Sequence, residues 1–359
     1  MSGHSVGYTH GSEEGKSPPA EYGSCRNNFP IFILFGPTAV GKTRIVESLF
    51  TDNNASFSWP FPAEIISADS MQVYRGMNIG TAKPDAGLCN KLPHHLLDIR
   101  KPDEQFNAGD FVRHAEDAAR EISFRGKLPV ISGGTGFYIN SFISGLPDTP
   151  PSDDAIRAEL KKELQTKGAA VLMEELAEHD AISAARIHIN DQYRLLRALE
   201  VFRLTGRPLS SFKRQTTSHE NQSARKLLVF GLAREREDLY ERINARCASM
   251  IKKGLYDEVR NLFENSYTPE DPALKAIGYK EFFYKNSDGK YVMFEKNRLD
   301  EIRECIAQNS RQYAKRQMTY FKNVMPSKWF FLPKGPSAVD DVLVKIKDEL
   351  LFFLEKETI

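Results

Sequence analysis

Residues 31–43, IFILFGPTAVGKT, constrain the fold of this chain more than any other stretch. Five apolar residues at 31–35 predict a buried strand, and the spacing of Ile45, Val46 and Leu49 predicts a helix after residue 43. Between them lies a match to G-x-x-x-x-G-K-[ST], in the strand–loop–helix context that makes this pattern a phosphate-binding loop. We therefore expect an α/β fold in which residues 36–43, the phosphate loop, hold a diphosphate or polyphosphate.

The phosphate loop contains several groups that recognise phosphate. Gly36 and Gly41 let the backbone turn its N–H groups inward, and the N-terminus of the following helix adds partial positive charge. Lys42 adds a full charge, and the Thr43 hydroxyl is placed to ligate Mg²⁺. The predicted diphosphate-binding residues are the whole loop: Gly36, Pro37, Thr38, Ala39, Val40, Gly41, Lys42 and Thr43.

Length and composition place the chain in a broad class. Its 359 residues suffice for two domains, and 41% hydrophobic with 27% charged residues is typical of a soluble globular protein. No apolar run approaches the roughly 18 residues of a membrane span. The first 29 residues are polar and rich in Gly, Ser and Pro, which predicts a disordered tail and not a signal peptide. The four cysteines are scattered without a C-x-x-C pair, which argues against a disulfide framework or zinc site and favours the reducing cytoplasm.

The distribution of charge is more informative than its sum. The net charge is only +1, but no acidic residue lies between Glu200 and Glu220 or between Glu304 and Asp340. Both stretches carry Arg and Lys. They indicate either a localised positive face or ordinary solvated helix faces.

Two further strand ends carry polar groups that belong near the phosphate loop. The predicted strand at 63–67 leads to Asp69, and the one at 128–132 runs into GGTG, which contains Thr135. In doubly wound α/β folds ligands lie at the carboxyl ends of the strands. Asp69 is therefore a candidate catalytic carboxylate, with Mg²⁺ ligation as the main alternative and helix capping as a third role.

Pro150 and Pro151 mark a change to helical patterns that continue to about residue 215. We expect a tail at 1–29, a catalytic core at 30–150 and 216–359, and a helical insertion at 151–215. Within one turn of a predicted helix at 192–204 lie Tyr193, Arg194 and Arg197, an apt surface for nucleic acid or simply a polar helix face.

A long helix is predicted at 239–263. It places Arg242 and Arg246 one turn apart, where two guanidinium groups could clamp a leaving phosphate.

Eight sequence blocks resemble, in the same order, those of tRNA dimethylallyltransferases, also called tRNA isopentenyltransferases: GPTAVGKT, ISADSMQVYRGMNIGTAKP, PHHLLDI, GGTGFY, NDQYRLLRALEV, RINARCASMIKKGLYDEV, AIGYKE and RQYAKRQMTYF. The resemblance extends over nearly all of residues 31–330. It implies a P-loop NTPase-like parallel sheet flanked by helices, with an all-helical insertion. It is closest to the bacterial type, without the zinc finger of many eukaryotic members. Ile189, where proline is usual, and the insert at 51–61 depart from the pattern.

The resemblance implies transfer of a dimethylallyl group from dimethylallyl diphosphate to N6 of the adenosine 3′-adjacent to the tRNA anticodon. Asp69 is then the base, and Lys42, Arg246 and Thr135 are the other catalytic residues. Mg²⁺ is the implied cofactor, with Thr43 as its ligand. The enzyme is expected to be a cytoplasmic monomer without a membrane segment.

The resemblance also implies which residues contact the anticodon stem-loop. They comprise the turn after the second strand, the 192–197 helix and the 275–280 turn. The full set is Asp69, Ser70, Met71, Gln72, Thr135, Arg157, Tyr193, Arg194, Leu195, Leu196, Arg197, Lys275, Ala276, Ile277, Gly278, Tyr279 and Lys280.

Three alternatives are open from the residues alone. A P-loop kinase or ATPase acting on a small molecule would bind ATP in the loop and would need a nucleotide-base pocket, to which no residue is clearly assigned. Prenylation of free adenine nucleotides would not need the helical insertion. A non-catalytic tRNA-binding module is disfavoured by Asp69 beside an intact phosphate loop.

Overall fold

The computed structural model describes residues 29–51, 61–212, 214–215, 226–325 and 327–358. Residues 1–28 of the predicted tail, most of the 51–61 insert and the basic residue Lys213 lie outside the described residues. The strands in chain order are β1 (Pro30–Phe35), β2 (Ala63–Ala68), β3 (His94–His95), β4 (Leu128–Gly133), β5 (Leu146–Pro147), β6 (Arg214–Gln215), β7 (Lys226–Ala233), β8 (Phe283–Lys285), β9 (Tyr291–Met293) and β10 (Lys328–Phe331).

The helices flank and interrupt this series of strands. They are α1 (Lys42–Thr51), α2 (Ala86–Lys91), α3 (Ala108–Phe124), α4 (Gly136–Ser144), α5 (Asp154–His179), α6 (Ala181–Arg186), α7 (Gln192–Thr205), α8 (Arg236–Lys252), α9 (Leu255–Glu264), α10 (Leu299–Val324) and α11 (Pro336–Thr358). No helix in the described part of the chain is both long enough and apolar enough to cross a membrane.

Within the described residues the core is a six-stranded parallel sheet in the order β10-β7-β1-β4-β2-β3. β1 lies inside it and pairs with β4 on one side and β7 on the other. Residues 31–35 are almost wholly buried, as an apolar run in a sheet covered on both faces requires. The predicted parallel α/β fold is confirmed.

The close approach of β2 and β4 depends on a glycine. A Cβ atom built on Gly133 would lie 2.1 Å from the Ala68 carbonyl oxygen, far inside any real contact. The same carbonyl accepts a hydrogen bond from the Thr135 N–H at 3.1 Å. The end of β4 is thereby joined to the end of β2, the strand that leads to Asp69.

Helices α5–α7, the helical arm, have a hydrophobic core of their own. It is built from Leu160, Leu172, Leu176, Leu195, Leu196, Ala198 and Leu199, separate from the core around the sheet. A two-stranded antiparallel ribbon of β5 and β6 joins the chain on either side of the arm. The domain boundaries expected at 151 and 215 stay predictions.

The long helix predicted at 239–263 is in fact two helices. α8 ends at Lys252 and α9 begins at Leu255, because Gly254 takes a left-handed conformation with φ of 93°. The sequence pattern predicted a single helix because the apolar stripe continues in phase across the break. The second helix therefore starts afresh at residue 255, with acidic residues in its own first turn.

A buried carboxylate, Glu64, lies on β2, remote from the strand ends that carry Asp69. It is 4% exposed and accepts hydrogen bonds from Lys127 (2.8 Å) and Arg125 (2.6 Å), with His95 Nε2 2.6 Å away. Burial opposes its ionisation, but the bonds from Lys127, His95 and Arg125 outweigh burial and lower the pKa of Glu64 to about 2.

Glu64 should make the fold sensitive to acid. Because its pKa is lower in the folded chain than the ~4.3 of an unfolded glutamate, its stabilisation is complete above about pH 5 and is lost as pH falls toward about 2. We expect Glu64→Gln to lower the free energy of unfolding at pH 7 by about 2 kcal/mol and to flatten its pH dependence below pH ~5. Urea unfolding at several pH values measures both effects. Glu121→Gln, on the exposed face of α3, is the control, and an equal effect of both variants would contradict the assignment.

Candidate active site

Four strand ends bring their polar residues to one edge of the sheet. β1 runs into the phosphate loop, β2 into Asp69, β4 into Gly134 and Thr135, and β7 into Arg234. Since the strands are parallel and adjacent, their carboxyl ends meet at the same edge. Residues far apart in sequence therefore face a common space.

Two arginines hold the phosphate loop from outside. Arg234 donates from Nε to the Val40 carbonyl at 2.7 Å, and Arg242 donates from Nε to the Ala39 carbonyl at 2.9 Å. In a trans peptide the next N–H points the opposite way, so the Gly41 N–H faces away from Arg234. Ala39 and Gly41 take positive φ angles of 62° and 115°, which the tight turn requires.

Gln317 on α10 ties two of the strand ends together. Its Oε1 accepts a hydrogen bond from the Thr38 N–H at 2.9 Å, and its Nε2 donates to the Gly134 carbonyl at 2.8 Å. Sequence reasoning missed this residue among the polar residues of its helix. The available signal was its position in the buried stripe formed with Ala314 and Phe321, where a polar side chain needs partners.

Asp69 divides its two carboxylate oxygens between different environments. Oδ1 accepts the N–H groups of Met71 (2.9 Å) and Gln72 (3.3 Å) and so caps the turn after β2. Within the described residues no hydrogen bond engages Oδ2. The Thr135 hydroxyl accepts the neighbouring Ser70 N–H at 3.0 Å. Capping and a chemical role for Asp69 are therefore compatible.

Arg246 and Gln72 converge on the Thr81 carbonyl. Arg246 donates from Nη2 to this oxygen at 3.3 Å and from Nη1 to the Thr38 hydroxyl at 3.3 Å. Gln72 donates from Nε2 to the same carbonyl at 3.3 Å, and its Oε1 accepts from Ser67 at 2.9 Å. Thr81 was not recognised as a site residue from the sequence, because its contribution is a backbone oxygen.

The cations at this edge are poorly solvated. Burial lowers the pKa of Lys42 to about 8; the charge of Asp69 opposes this shift and that of Arg246 adds to it. The Lys42 ammonium donates to the Gly36 and Pro37 carbonyls, both at 2.9 Å. Burial also lowers the pKa of Arg246, again opposed by Asp69. Closely spaced buried cations with one carboxylate nearby favour the binding of an anion.

Two adjoining cavities meet beside Asp69. The phosphate cavity, of about 440 Å³, is lined by the loop together with Arg44, Arg242 and Gln317. The second cavity, of about 250 Å³, is called the apolar cavity because part of its wall is formed by Ile243, Cys247, Met250, Ala276, Ile277 and Ile306. Both are bounded by Thr38, Asp69, Thr81, Arg246 and Tyr313. A ligand with an anionic head and an apolar group could occupy both, with its junction at Asp69.

Tyr313 is a further boundary residue that the sequence did not single out. Burial, reinforced by the charge of Asp69, raises its pKa to about 12. The hydroxyl therefore stays protonated and remains a hydrogen-bond donor at the junction of the two cavities.

The predicted contact residues of the helical arm fall into two groups. Tyr193 is 71% exposed, and the Arg194 side chain is exposed beside Asp191, to which it donates. Leu195 and Leu196 are buried in the core of the arm, so their side chains have a packing role there, and their contact with tRNA stays a prediction. They fix the exposed face of α7 by packing.

Arg157 and Arg197 lie close to the buried carboxylate of Glu200. Arg197 donates to Glu200 at 2.9 Å and to the Pro150 carbonyl at 2.5 Å, and Arg157 lies 3.6 Å from Glu200. The Arg157 guanidinium also lies over the Tyr193 ring, 5.4 Å from its centroid. Both arginines are partly exposed, so they can still present charge at the surface of the arm.

The predicted 275–280 contact segment is likewise divided. Lys275 and Lys280 are exposed, and Ala276 and Ile277 line the apolar cavity. Gly278 is buried and supplies a turn with φ of 97°. Tyr279 is fully buried and donates to Glu258, so its side chain has a structural role, and its contact with tRNA stays a prediction.

Comparisons with known proteins place this geometry in context. A family model described as IPP transferase matches residues 72–324. A tRNA dimethylallyltransferase of Geobacter sulfurreducens is 42% identical over 315 residues, 88% of this chain and 96% of that protein. One from Geobacillus thermodenitrificans is 43% identical over 301 residues, 84% of this chain and 90% of that protein.

Solved structures agree with the sequence comparisons. The full-length tRNA isopentenylpyrophosphate transferase of Bacillus halodurans is similar with a TM-score of 0.62 and 37% identity, over 92% of this chain and 98% of that chain. A eukaryotic dimethylallyltransferase acting on tRNA is similar with a TM-score of 0.65 and 25% identity, over 85% of this chain and 73% of that one. The resemblance seen in the sequence is confirmed, and the chain belongs to the IPP transferase family.

Proposed function

We propose that this protein transfers a dimethylallyl group from dimethylallyl diphosphate to N6 of the adenosine 3′-adjacent to the anticodon of tRNA. The observation that carries the proposal is the position of Asp69 where the phosphate cavity meets the apolar cavity. A diphosphate ester of a short apolar alcohol matches the two cavities in charge and polarity. The relatives named tRNA dimethylallyltransferase support the same reaction.

The phosphate loop binds the diphosphate and stabilises it as a leaving group. The bond from the first prenyl carbon to the diphosphate oxygen breaks, and negative charge accumulates on the diphosphate. The loop N–H groups, Lys42 and Arg246 neutralise that charge. Lys42 donates to two neutral carbonyls, which bind an ammonium group more weakly than a phosphate anion does. It can therefore exchange these partners for the incoming phosphate.

Magnesium fits this cavity as a partner of the substrate. Within the described residues no group of three or more His, Cys, Asp or Glu side chains could hold a metal, and Mg²⁺ commonly completes its coordination with substrate phosphates and water. The exposed Thr43 hydroxyl, which lines the phosphate cavity, would supply the protein ligand. When bound, the ion offsets charge on the diphosphate.

Asp69 accepts the proton that N6 loses as the new nitrogen–carbon bond forms. An aromatic amine is a weak nucleophile, so a carboxylate that hydrogen-bonds its N–H raises its reactivity. Oδ2 is available for this role while Oδ1 caps the turn. Gln72, the Thr135 hydroxyl and the turn at Ser70 and Met71 are proposed to read an adenine extruded from its stack.

The exposed face of the helical arm holds the anticodon stem-loop. Tyr193 and Arg194 offer an aromatic surface and an exposed cation, which suit bases and phosphates. Lys275 and Lys280 add exposed charge beside the apolar cavity. The protein is proposed to act as a cytoplasmic monomer. The family comparison favours prenyl transfer over a small-molecule kinase, and prenylation of free adenine nucleotides would not need the arm.

The direct test is incubation of the full chain with dimethylallyl diphosphate, Mg²⁺ and unmodified tRNA, followed by mass analysis of the nucleosides. We expect an adenosine heavier by one five-carbon unit and release of diphosphate. Consumption of ATP against a small metabolite, with tRNA left unchanged, would contradict the proposal. Free AMP as acceptor in a parallel reaction tests the nucleotide alternative.

Replacement of Asp69 by Asn should separate its two roles. Asn keeps an oxygen for the N–H groups of Met71 and Gln72 but cannot accept a proton, so the single-turnover rate should fall by about 10²–10⁴-fold. The tRNA dissociation constant, measured by fluorescence anisotropy, should change by less than about threefold. Asp69→Ala, which also removes the cap, should be at least as slow. A large loss of affinity with an unchanged rate would contradict the base assignment.

Arg194→Ala should weaken tRNA binding and reduce its dependence on salt. One lost phosphate contact lowers the slope of log K against log salt concentration by about 0.7 to 0.9. Titrations at several salt concentrations measure this slope. The control is Arg120→Ala, an exposed arginine on α3 that is likewise ion-paired to an aspartate at i−3. An unchanged slope in the Arg194 variant would exclude a phosphate contact.

A further inference from the structure

One carboxylate, that of Glu258 in the first turn of α9, receives hydrogen bonds from three successive backbone N–H groups. The Asn78 N–H donates to Oε2 at 2.8 Å, the Ile79 N–H to Oε2 at 2.8 Å, and the Gly80 N–H to Oε1 at 3.1 Å. The Tyr279 hydroxyl donates to Oε1 at 2.7 Å. Four donors from two distant segments thus share one anion.

The next residue of the held segment is Thr81, whose carbonyl accepts from both Arg246 and Gln72. Its side chain is buried, and its hydroxyl donates to the Met77 carbonyl at 2.6 Å. The position of the Thr81 carbonyl therefore follows from the position of residues 78–80. Arg246 and Gln72 both line the phosphate cavity, and Gln72 is the one proposed to read the adenine.

Packing leaves this segment little freedom. A Cβ atom on Gly80 would lie 2.5 Å from the Tyr279 ring, so the backbone is pressed against that ring. Tyr279 is fully buried. Burial, with the charge of Glu258 in second place, holds the pKa of Tyr279 above its usual range, so its hydroxyl remains a donor.

We infer that Glu258 is a positioning residue for the transfer reaction. It fixes residues 78–81 and, through the Thr81 carbonyl, the orientation of Arg246 and Gln72 toward the two substrates. The inference rests on the proposed function and adds a residue that touches neither substrate.

The contact set suits a carboxylate and not its amide. An ionised Glu accepts at both oxygens, whereas Gln accepts at one and presents N–H groups at the other. In Glu258→Gln an NH₂ group would face backbone N–H or Tyr279 O–H donors. The segment must then shift, although side-chain volume is nearly unchanged. Tyr279→Phe removes only one of the four donors and keeps the ring under Gly80.

The experiment compares full-length variants in two measurements. A misplacement of about 1 Å can cost about 10²-fold in rate, and we expect Glu258→Gln to lower the single-turnover prenylation rate by about 30- to 100-fold with tRNA affinity retained. Its affinity for inorganic diphosphate with Mg²⁺, measured by calorimetry, should fall about tenfold through the misplaced Arg246. Tyr279→Phe should show a smaller loss in both measurements.

Two controls separate positioning from loss of stability. Asp257→Asn changes the adjacent carboxylate, whose ion pairs among the described residues are with exposed Arg260 and Lys296, and should leave both measurements unchanged. Glu64→Gln lowers stability remote from the site and should lower the melting temperature with a normal rate. A Glu258→Gln variant that behaves like Glu64→Gln would overturn the inference.

A double-mutant cycle tests the route through Arg246. In an Arg246→Ala background most of the effect of Glu258→Gln on diphosphate affinity should disappear, because Glu258 acts on the bound diphosphate through Arg246. Fully additive losses would overturn the route. The diphosphate titration does not depend on tRNA or on turnover. It therefore tests the role of Glu258 even if the wild-type chain shows no prenylation. Absence of prenylation would count against the proposed function and not against the role of Glu258.

Discussion

The site depends on the fixed outward direction of the Ala39 and Val40 carbonyls. Arg242 and Arg234 bind these oxygens, which leaves the opposite side of the phosphate loop for an anion. Both arginines belong to the chain from the end of β7 into α8, and β7 pairs directly with β1. The loop is thus shaped by a segment almost two hundred residues away. Binding of an anion then requires little rearrangement of the backbone, which is the condition for strong electrostatic stabilisation.

The carboxylates Asp69 and Glu258 differ in how their oxygens are used. Asp69 caps a turn with one oxygen and is open at the other, whereas both oxygens of Glu258 accept hydrogen bonds from the backbone N–H groups of residues 78–80 and from the Tyr279 hydroxyl. The first arrangement suits a group that must exchange a proton, and the second suits one that must not move. The nearby cations, Lys42 and Arg246, donate hydrogen bonds to protein carbonyls, and burial lowers the pKa of both. A bound anion would replace these carbonyls as their partner.

The sequence predicted the parallel core because motif and strand patterns are local properties. It also predicted that Lys42, Asp69 and Thr135 lie at one edge of the sheet, and the structure brings them together there, while the chemical roles of these residues and of Arg246 stay predictions. It did not predict Gln317, Tyr313 or the Thr81 carbonyl, because their importance arises from contacts across hundreds of residues. It also grouped Leu195, Leu196 and Tyr279 with their exposed neighbours, since a motif does not distinguish residues that touch a partner from those that pack beneath. The helix predicted at 239–263 was broken by one glycine conformation that a continuous apolar stripe concealed.

The helical arm has its own apolar core and continues into the sheet domain through a ribbon of two short strands. Cooperative melting requires that the loss of one packed region destabilise the other, and the separation of the two cores weakens that coupling. Heating should therefore release the arm as an independent unit, with the sheet still intact. A single transition temperature would then describe neither region, and calorimetric and van't Hoff enthalpies for the whole chain would disagree.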